Sequence, residues 1–187
     1  MTPTATSVPR SRGRVRLVPV ALAACGIAVL AWAAFVQPAA RIVYNPSDSV
    51  PVGWYRIEAA HSLPDTLQVG SIVLTALPAD AATLAAQRGY LPLHVPLLKR
   101  VGAVAPQHVC VTGGMVYIDG VPVAAVLHTD HQGRALPAWS QCRPLAGGEL
   151  FLLSHTNPAS FDSRYFGPVS TSAVLGMALP IRAETRP

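Results

Sequence analysis

Two serines that lie two residues apart are the first side chains in this sequence that could do covalent chemistry. Ser47 and Ser49 stand in the stretch NPSDSVPVGWYRI. Two prolines and a glycine flank them and favour a stiff turn: Pro46, Pro51 and Gly53. In an extended stretch residues i and i+2 face the same way, so both hydroxyls should reach one site. A serine becomes a nucleophile only when a base takes its proton, and the sequence must supply that base.

Lys99 is the best candidate for the base, because it is the only lysine in the chain. An arginine stays protonated, whereas a lysine gives up its proton when it is desolvated. If PLLKRVG is a strand, Leu97, Lys99 and Val101 share one face. Burial of that kind lowers a lysine pKa, by as much as roughly 3 to 5 pH units, into the range of a general base. Taken alone, Lys99 also fits an ordinary surface lysine.

Six histidines offer other bases or ligands. His128 and His131 flank Asp130 in HTDHQG, which suggests a metal site or a catalytic triad. However, that stretch is polar and irregular, and the sequence contains no G-x-S-x-G motif, so we interpret it as a surface loop. The other four are isolated and are interpreted as surface or hydrogen-bonded side chains: His61, His94, His108 and His155. The sequence therefore predicts no metal site and no cofactor.

The segments that position these residues are predicted to be mainly β structure. Short runs rich in Val, Ile, Leu and aromatic residues alternate with Gly, Pro and Asp. These runs cover residues 53–60, 70–77, 96–105, 108–124, 148–154 and 174–181. The pairs Gly113-Gly114 and Asp119-Gly120 favour hairpin turns that need positive φ. One short helix is predicted over residues 78–89, and residues 128–144 resemble an irregular excursion.

The first 36 residues predict a membrane anchor. Residues 17–36 carry no charge, and at about 1.5 Å per residue they span roughly the 30 Å hydrocarbon core of a bilayer. Residues 1–16 hold four arginines and no acid, which predicts a basic head in the cytoplasm. Residues 37–187 then form an exported domain. A cleavable secretory signal is the alternative, because AWAAF has small residues at a suitable spacing, and it too exports the domain.

The net charge of +5 does not indicate a nucleic-acid partner. Beyond residue 16 the chain carries ten basic and nine acidic side chains, so the exported part is nearly neutral. That part lacks the basic stripe, interleaved with aromatic residues, that binding to a phosphate backbone requires. The partner that this distribution of charge predicts is the lipid bilayer.

Two cysteines of the exported part predict a disulfide. Cys110 and Cys142 form an even pair in an oxidising compartment. Two separate buried thiols are the alternative, whereas a zinc site lacks further ligands at any recognisable spacing. Cys25 lies inside the predicted membrane span, where a thiol behaves as a small apolar residue.

Three short motifs, in order along the chain, resemble the conserved boxes of the type I signal peptidases. SDSVPVGWY fits S-x-P-x-G-x-Y through Ser49, Pro51, Gly53 and Tyr55. LLKRV supplies a lysine followed by an arginine, and NPASFDSRYFGPV contains D-S-R-x-x-G. The S-x-P spacing and the stretch SHTNPAS depart from the housekeeping enzyme and resemble the conjugative-transfer branch called TraF, whose members process pilin precursors. The resemblance implies a signal-peptidase-like antiparallel β catalytic domain.

The resemblance also implies a role for each matching residue. Ser49 matches the nucleophile and Lys99 the general base of a Ser-Lys dyad. Ser47 matches the residue whose hydroxyl forms the oxyanion hole together with the backbone N–H of Ser49. The last box supplies supporting residues: Ser160, which orients the lysine, and Asp162 and Arg164, which form an ion pair that braces the site.

On this resemblance we expect a membrane-anchored serine endopeptidase that cleaves a membrane-borne exported precursor. The expected substrate is a pilin that matures for conjugative transfer or type IV secretion. The chain should cross the inner membrane once, with its N-terminus in the cytoplasm and its catalytic domain in the periplasm. Two alternatives remain: a general type I signal peptidase that removes signal peptides, and a non-catalytic pilus or secretion scaffold of the same fold.

Overall fold

The structure is a computed structural model. Its described residues are 19, 22–28, 40–59 and 67–181. The chain divides into two compact units, Met1–Pro38 and Ala39–Pro187. Residues 22–28 of the first unit are helical, whereas the predicted head over 1–16 and most of the predicted anchor over 17–36 lie outside the described residues. Among the residues that the structure describes, no helix has both the length and the apolar character needed to cross a bilayer.

The second unit is built mainly from antiparallel strands, as the sequence predicts. Its described residues form eleven strands: β1 (Ala40–Asn45), β2 (Gly53–Ala59), β3 (Ile72–Thr75), β4 (Leu97–Val104), β5 (His108–Thr112), β6 (Met115–Ile118), β7 (Val121–Ala125), β8 (Cys142–Pro144), β9 (Glu149–Leu152), β10 (Val169–Ser170) and β11 (Val174–Pro180). They also form two short α-helices, α1 (Ala79–Gln87) and α2 (Ser163–Phe166), and one 3-10 helix over Thr171–Ala173. The sequence predicts α1 but not α2, which is a single turn capped by Asp162.

The strands pair in two sheets. The larger sheet has the order β1-β2-β11-β3-β4-β9-β10, and the smaller has the order β7-β6-β5-β8. Strand β4 lies between β3 and β9, with Lys99 opposite Val73 of β3. Leu98, Lys99 and Val101 are all buried, so side chains are covered on both faces of β4. The sequence predicts that Lys99 shares a face with Leu97 and Val101, but it does not predict that the opposite face of this central strand is covered as well.

The smaller sheet consists of hairpins whose turns the sequence predicts. The turn between β5 and β6 has φ of 56° at Gly113 and 74° at Gly114. The turn between β6 and β7 has φ of 49° at Asp119 and 80° at Gly120. Positive φ at both central residues matches the twist of the flanking strands, and Gly and Asp tolerate it. Both predicted hairpins are confirmed.

A disulfide ties the smaller sheet together. Cys110 on β5 is opposite Cys142 on β8, and the two are bonded, which confirms the predicted pairing. The bond closes a loop with a sequence separation of 32 that includes β6, β7 and the irregular excursion. Strand β8 itself lies inside the region that was predicted to be irregular, and it is only three residues long.

Strand β1 is the main element that the sequence does not predict. Its outward-facing residues Ile42 and Tyr44 are exposed apolar side chains, whereas Asn45 is 5% exposed. A half-buried strand normally shows the opposite pattern, with apolar residues inside and polar residues outside. Because Val43 packs against the core, apolar residues stand on both sides of β1, and its sequence does not show the alternation expected of a half-buried strand. The strand also places an amide group at the point where the chain enters the serine loop.

Candidate active site

The loop that carries both serines joins β1 to β2. Asn45 and Gly53 pair across the base of this loop, and Gly53 has a φ of 147°, which favours glycine. The hydroxyl of Tyr55 donates a hydrogen bond of 2.6 Å to the carbonyl of Pro51. The loop is thus fixed at its base and along its second half by residues of the first predicted box.

The two serine hydroxyls lie side by side, with 2.8 Å between the Oγ atoms of Ser47 and Ser49. The structure brings them to one site, as their spacing predicts. The segment, however, is a turn and not the extended stretch on which that prediction was based. Ser47 Oγ also donates a hydrogen bond of 3.0 Å to Asn45 Oδ1. Sequence reasoning gave Asn45 no role, because nothing in its position along the chain shows that its amide faces the loop.

Lys99 is buried, with 2% of its surface exposed, and its ammonium donates a hydrogen bond to Ser160 Oγ. Burial lowers the pKa of Lys99 from 10.5 to about 8, because it disfavours the charged form. The negative charge of Asp162 opposes this change and the positive charge of Arg164 adds to it. Lys99 can therefore lose its proton at mildly alkaline pH, as the sequence-based argument requires of a general base.

The ion pair Asp162–Arg164 lies next to Ser160 and is completely buried. Arg164 donates from Nε to Asp162 Oδ1 at 2.7 Å and from Nη2 to Asp162 Oδ2 at 2.8 Å. It also donates to the carbonyls of Ala125 at 2.8 Å and Ser154 at 3.0 Å. Burial opposes the charge on Arg164, but the contact with Asp162 outweighs it and raises the pKa of the guanidinium. The pair thereby joins the segment that carries Ser160 to the end of β7.

The glycine that ends the third box has a packing role. Gly167 follows α2 with a φ of 82°. A Cβ atom there would lie 2.6 Å from Cδ1 of the Trp139 indole, which is too close for any side chain. The glycine lets the indole of Trp139 lie against the backbone just after α2, so a residue with a side chain would not fit at this position of the chain.

A single cleft of about 370 Å³ contains the serines and the lysine. Ser47, Ser49, Lys99 and Ser160 all line it. Apolar side chains form most of the remaining wall: Leu74, Leu91, Val95, Leu98, Leu127 and Leu136. Within the described residues no hydrogen bond joins Ser49 to Lys99, although both line the same cleft. Catalytic hydrogen bonds often tighten only when substrate is bound.

A polar cluster, which sequence reasoning missed, forms another part of the cleft wall. Tyr90 and Asp130 line the cleft and hydrogen-bond to each other, and Arg134 contacts Asp130 at 2.6 Å. Burial opposes the charge on Asp130, but hydrogen bonds from Tyr90, Arg134 and Gln132 hold its pKa well below its usual range. The cluster links the chain after α1 to the irregular excursion. Nothing in the sequence indicates that Tyr90 and Asp130, which are 40 positions apart, would contact each other.

The histidines take no part in a metal site in the described part of the chain. His128 is exposed, and His131 is an exposed residue at the edge of the cleft. The other described histidines are also exposed: His94, His108 and His155. His61 lies outside the described residues. No group of three or more His, Cys, Asp or Glu side chains comes together there.

The mainly β fold and the three ordered boxes define a signal-peptidase-like protein, and comparison with known proteins identifies the family. Residues 14–181 match the family described as signal peptidase, peptidase S26. The chain belongs to the signal peptidase S26 family. This result confirms the resemblance that the motifs predict.

Relatives within the family are conjugal transfer proteins. The conjugal transfer protein TraF of Agrobacterium fabrum (strain C58 / ATCC 33970) is 39% identical over 150 residues, which cover 73% of this chain and 80% of that protein. A plasmid transfer protein TraF of Escherichia coli is 30% identical over 166 residues, which cover 83% and 90%. A crystal structure of a signal peptidase I from Enterococcus faecalis V583 covers 62% of this chain and 98% of its own, at 20% identity and a TM-score of 0.38.

Proposed function

We propose that this protein is a serine endopeptidase in which Ser49 is the nucleophile and Lys99 the general base. The main support is that both residues line one cleft and that burial lowers the pKa of Lys99 to about 8. Two neighbouring serine hydroxyls would not by themselves indicate a nucleophile. The hydroxyls of Ser170 and Ser172 also lie 2.8 Å apart, but both residues are exposed and neither lines the cleft that contains Lys99, the only lysine of the chain.

The proposed reaction proceeds through an acyl-enzyme. Neutral Lys99 takes the proton of Ser49 Oγ while this oxygen bonds to the scissile carbonyl carbon. The backbone N–H of Ser49 and the hydroxyl of Ser47 donate to the resulting oxyanion. The lysine returns the proton to the leaving amine as the peptide bond breaks. Water then attacks the ester with Lys99 again as base, which releases the new carboxylate and regenerates Ser49.

Ser160, Asp162 and Arg164 take supporting roles in this proposal. Ser160 accepts a hydrogen bond from the lysine ammonium and so holds Nζ toward the cleft. The buried ion pair fixes the segment on which Ser160 lies. In the proposed reaction these residues neither form nor break a bond, and we regard them as positioning residues.

The proposed substrate is an exported, membrane-borne precursor, most specifically a pilin that matures for conjugative transfer. The similarity to proteins named as conjugal and plasmid transfer proteins supports this choice. We further propose that residues 17–36 anchor the chain in the inner membrane with the cleft on the periplasmic side. Ser49 follows residue 36 by thirteen positions, so the cleft would stay close to the membrane surface. Tethering raises the effective concentration of a substrate in the same membrane.

The decisive experiment expresses the full chain in membranes with a candidate pilin precursor and, separately, a precursor that carries an ordinary signal peptide. Ser49→Ala and Lys99→Met should each reduce processing by about 10⁴-fold or more, because each removes an indispensable part of one catalytic unit. Ser172→Ala is the matched control, since it removes one hydroxyl of an exposed serine pair of equal spacing. It should process at the parent rate.

Each result has a distinct meaning for the proposal. If Ser49→Ala or Lys99→Met processes the precursor normally, the dyad is wrong and a scaffold role becomes the better explanation. If the parent removes the signal peptide as fast as it processes the pilin, the protein is a general signal peptidase. Selective cleavage of the pilin precursor supports the narrower function.

A further inference from the structure

Asn45, the last residue of β1, makes more hydrogen bonds in the serine loop than either serine. Its Nδ2 donates to the carbonyl of Ser47 at 2.7 Å, of Val50 at 3.0 Å and of Pro51 at 3.1 Å. Its Oδ1 accepts from the backbone N–H of Ser47 at 3.3 Å and from the Ser47 hydroxyl at 3.0 Å. With 5% of its surface exposed, the side chain is almost enclosed by the loop that it contacts.

These contacts fix the orientation of the Asn45 amide. If the amide were rotated by 180°, its NH₂ group would face the N–H of Ser47, donor against donor. Its oxygen would then face three carbonyl oxygens, acceptor against acceptor. The observed orientation is the only one in which every group has a partner. The acceptor Oδ1 is therefore held toward Ser47.

The Ser47 hydroxyl is the link between this amide and the proposed nucleophile. Ser47 has a single hydroxyl proton, and Asn45 Oδ1 can only accept, so that proton lies toward Asn45. The contact of 2.8 Å between the serine hydroxyls must then be donated by Ser49 to Ser47 Oγ. The resulting chain runs from Ser49 to Ser47 to Asn45. It holds Ser47 Oγ at a fixed position beside the attacking oxygen before any substrate arrives.

We infer that Asn45 is a positioning residue for the reaction and that it acts through the Ser47 hydroxyl. This inference rests on the proposed peptidase function. When Ser49 attacks, the Ser47 hydroxyl must turn its proton to the oxyanion, and the oxygen has to be in place already for that donation to help. Asn45 supplies this preorganisation through the Ser47 backbone, because its amide still holds the N–H and the carbonyl of Ser47 after the hydroxyl proton has turned away. Asn45 itself forms and breaks no covalent bond.

A double-mutant cycle on the full chain tests the inference, with kcat and KM measured for the precursor in reconstituted vesicles. Ser47→Ala should lower kcat by about 10²- to 10³-fold, as expected for the loss of an oxyanion donor. Asn45→Ala should lower kcat by about tenfold or more with little change in KM. In the Ser47→Ala background the same Asn45→Ala change should lower kcat by less than about threefold, because its target is gone.

A purely structural role predicts something different. If Asn45 only shapes the loop, Asn45→Ala lowers kcat by the same factor in both backgrounds, and the inference is wrong. Asn45→Gln, which keeps an amide but moves its oxygen by one methylene, repeats the cycle if Asn45→Ala does not fold. If neither variant folds, Asn45 is a folding residue and the inference also fails.

The same series separates this inference from the peptidase proposal. Ser49→Ala is included alongside the parent in every assay. If the parent does not cut, or Ser49→Ala cuts at the parent rate, the peptidase proposal itself fails. If both behave as proposed and the cycle is additive, only the role of Asn45 is overturned.

Discussion

The two sheets of this protein differ in the kind of side chain that is buried in and around them. On and around β4 of the larger sheet, the protein buries seven polar or charged side chains to 4% exposure or less: Thr75, Lys99, Ser154, Ser160, Asp162, Ser163 and Arg164. The smaller sheet buries only apolar side chains among its described residues: Val109, Val111, Val116 and Ile118. The smaller sheet also carries the disulfide, which the larger sheet lacks.

This difference separates a region organised for chemistry from a region organised for stability. A buried charge lowers stability unless it is paired, and even a paired charge seldom stabilises more than apolar residues of the same size. A region that keeps a lysine, an aspartate and an arginine out of water therefore retains them for another reason. The apolar sheet and its covalent bond supply stability that the polar region does not.

The largest effect should come from separating the buried ion pair. Arg164→Met leaves the Asp162 carboxylate without its partner in a fully buried position, which typically reduces the free energy of unfolding by about 3 to 5 kcal/mol. Arg56→Met is the matched control, because it breaks a pair of 3.1 Å whose side chains are 55% and 37% exposed. That change should reduce stability by about 1 kcal/mol or less. Denaturant unfolding measures both, and equal losses would contradict the comparison.

The second effect concerns the smaller sheet. Replacing Cys110 and Cys142 by serine opens a loop with a separation of 32 residues, and the chain-entropy model gives a loss of about 3 to 4 kcal/mol. The rate of precursor processing by the folded variant should change by less than a few-fold, since no catalytic group lies on β5 or β8. Cys25→Ser provides the control for loss of a thiol alone. A large fall in kcat would show that the two regions are coupled.

The sequence predicts the residues of the site better than the way they are connected. Each box can be found because glycines, prolines and a unique lysine occupy positions with strict geometric demands, such as Gly53 and Gly167. The hairpins of the smaller sheet can be found for the same reason. Such signals are local, and a few neighbouring residues suffice to produce them.

What could not be predicted depends on contacts between distant parts of the chain or on an unusual pattern. Strand β1 has apolar residues on both its exposed and its buried side, so its sequence pattern does not show which face is buried. The hydrogen bond from Tyr90 to Asp130 joins residues 40 positions apart, and their order along the chain does not indicate it. The role of Asn45 becomes visible only when the backbone of the serine loop turns back over its amide.

The smallest effect tests whether the polar region lowers stability for the sake of chemistry. In the unfolded chain Lys99 keeps a pKa near 10.5, whereas burial lowers it to about 8. Below about pH 8 Lys99 is protonated in both the folded and the unfolded chain. Because the ammonium is then out of water only in the folded state, it lowers the free energy of unfolding by roughly 3 kcal/mol. Lys99→Met removes this cost and loses one hydrogen bond to Ser160, of about 1 kcal/mol. The variant should therefore be more stable than the parent by roughly 2 kcal/mol at pH 7, although the proposed reaction predicts that it does not process the precursor.

The pH dependence of the stability gain of Lys99→Met distinguishes removal of a buried charge from better packing of the new side chain. The lysine of the folded parent loses its proton as pH rises through about 8, so the cost declines from there and vanishes near pH 10.5. The stability gain of Lys99→Met should be constant below about pH 8 and decline above it, until near pH 10.5 the lost hydrogen bond leaves the variant slightly less stable than the parent; thermal unfolding at several pH values would measure this. A gain that persists at pH 10.5 would indicate better packing of methionine. No gain at pH 7 would mean that Ser160 and Asp162 fully compensate the buried charge, and the contrast between the two sheets would then lie in composition alone.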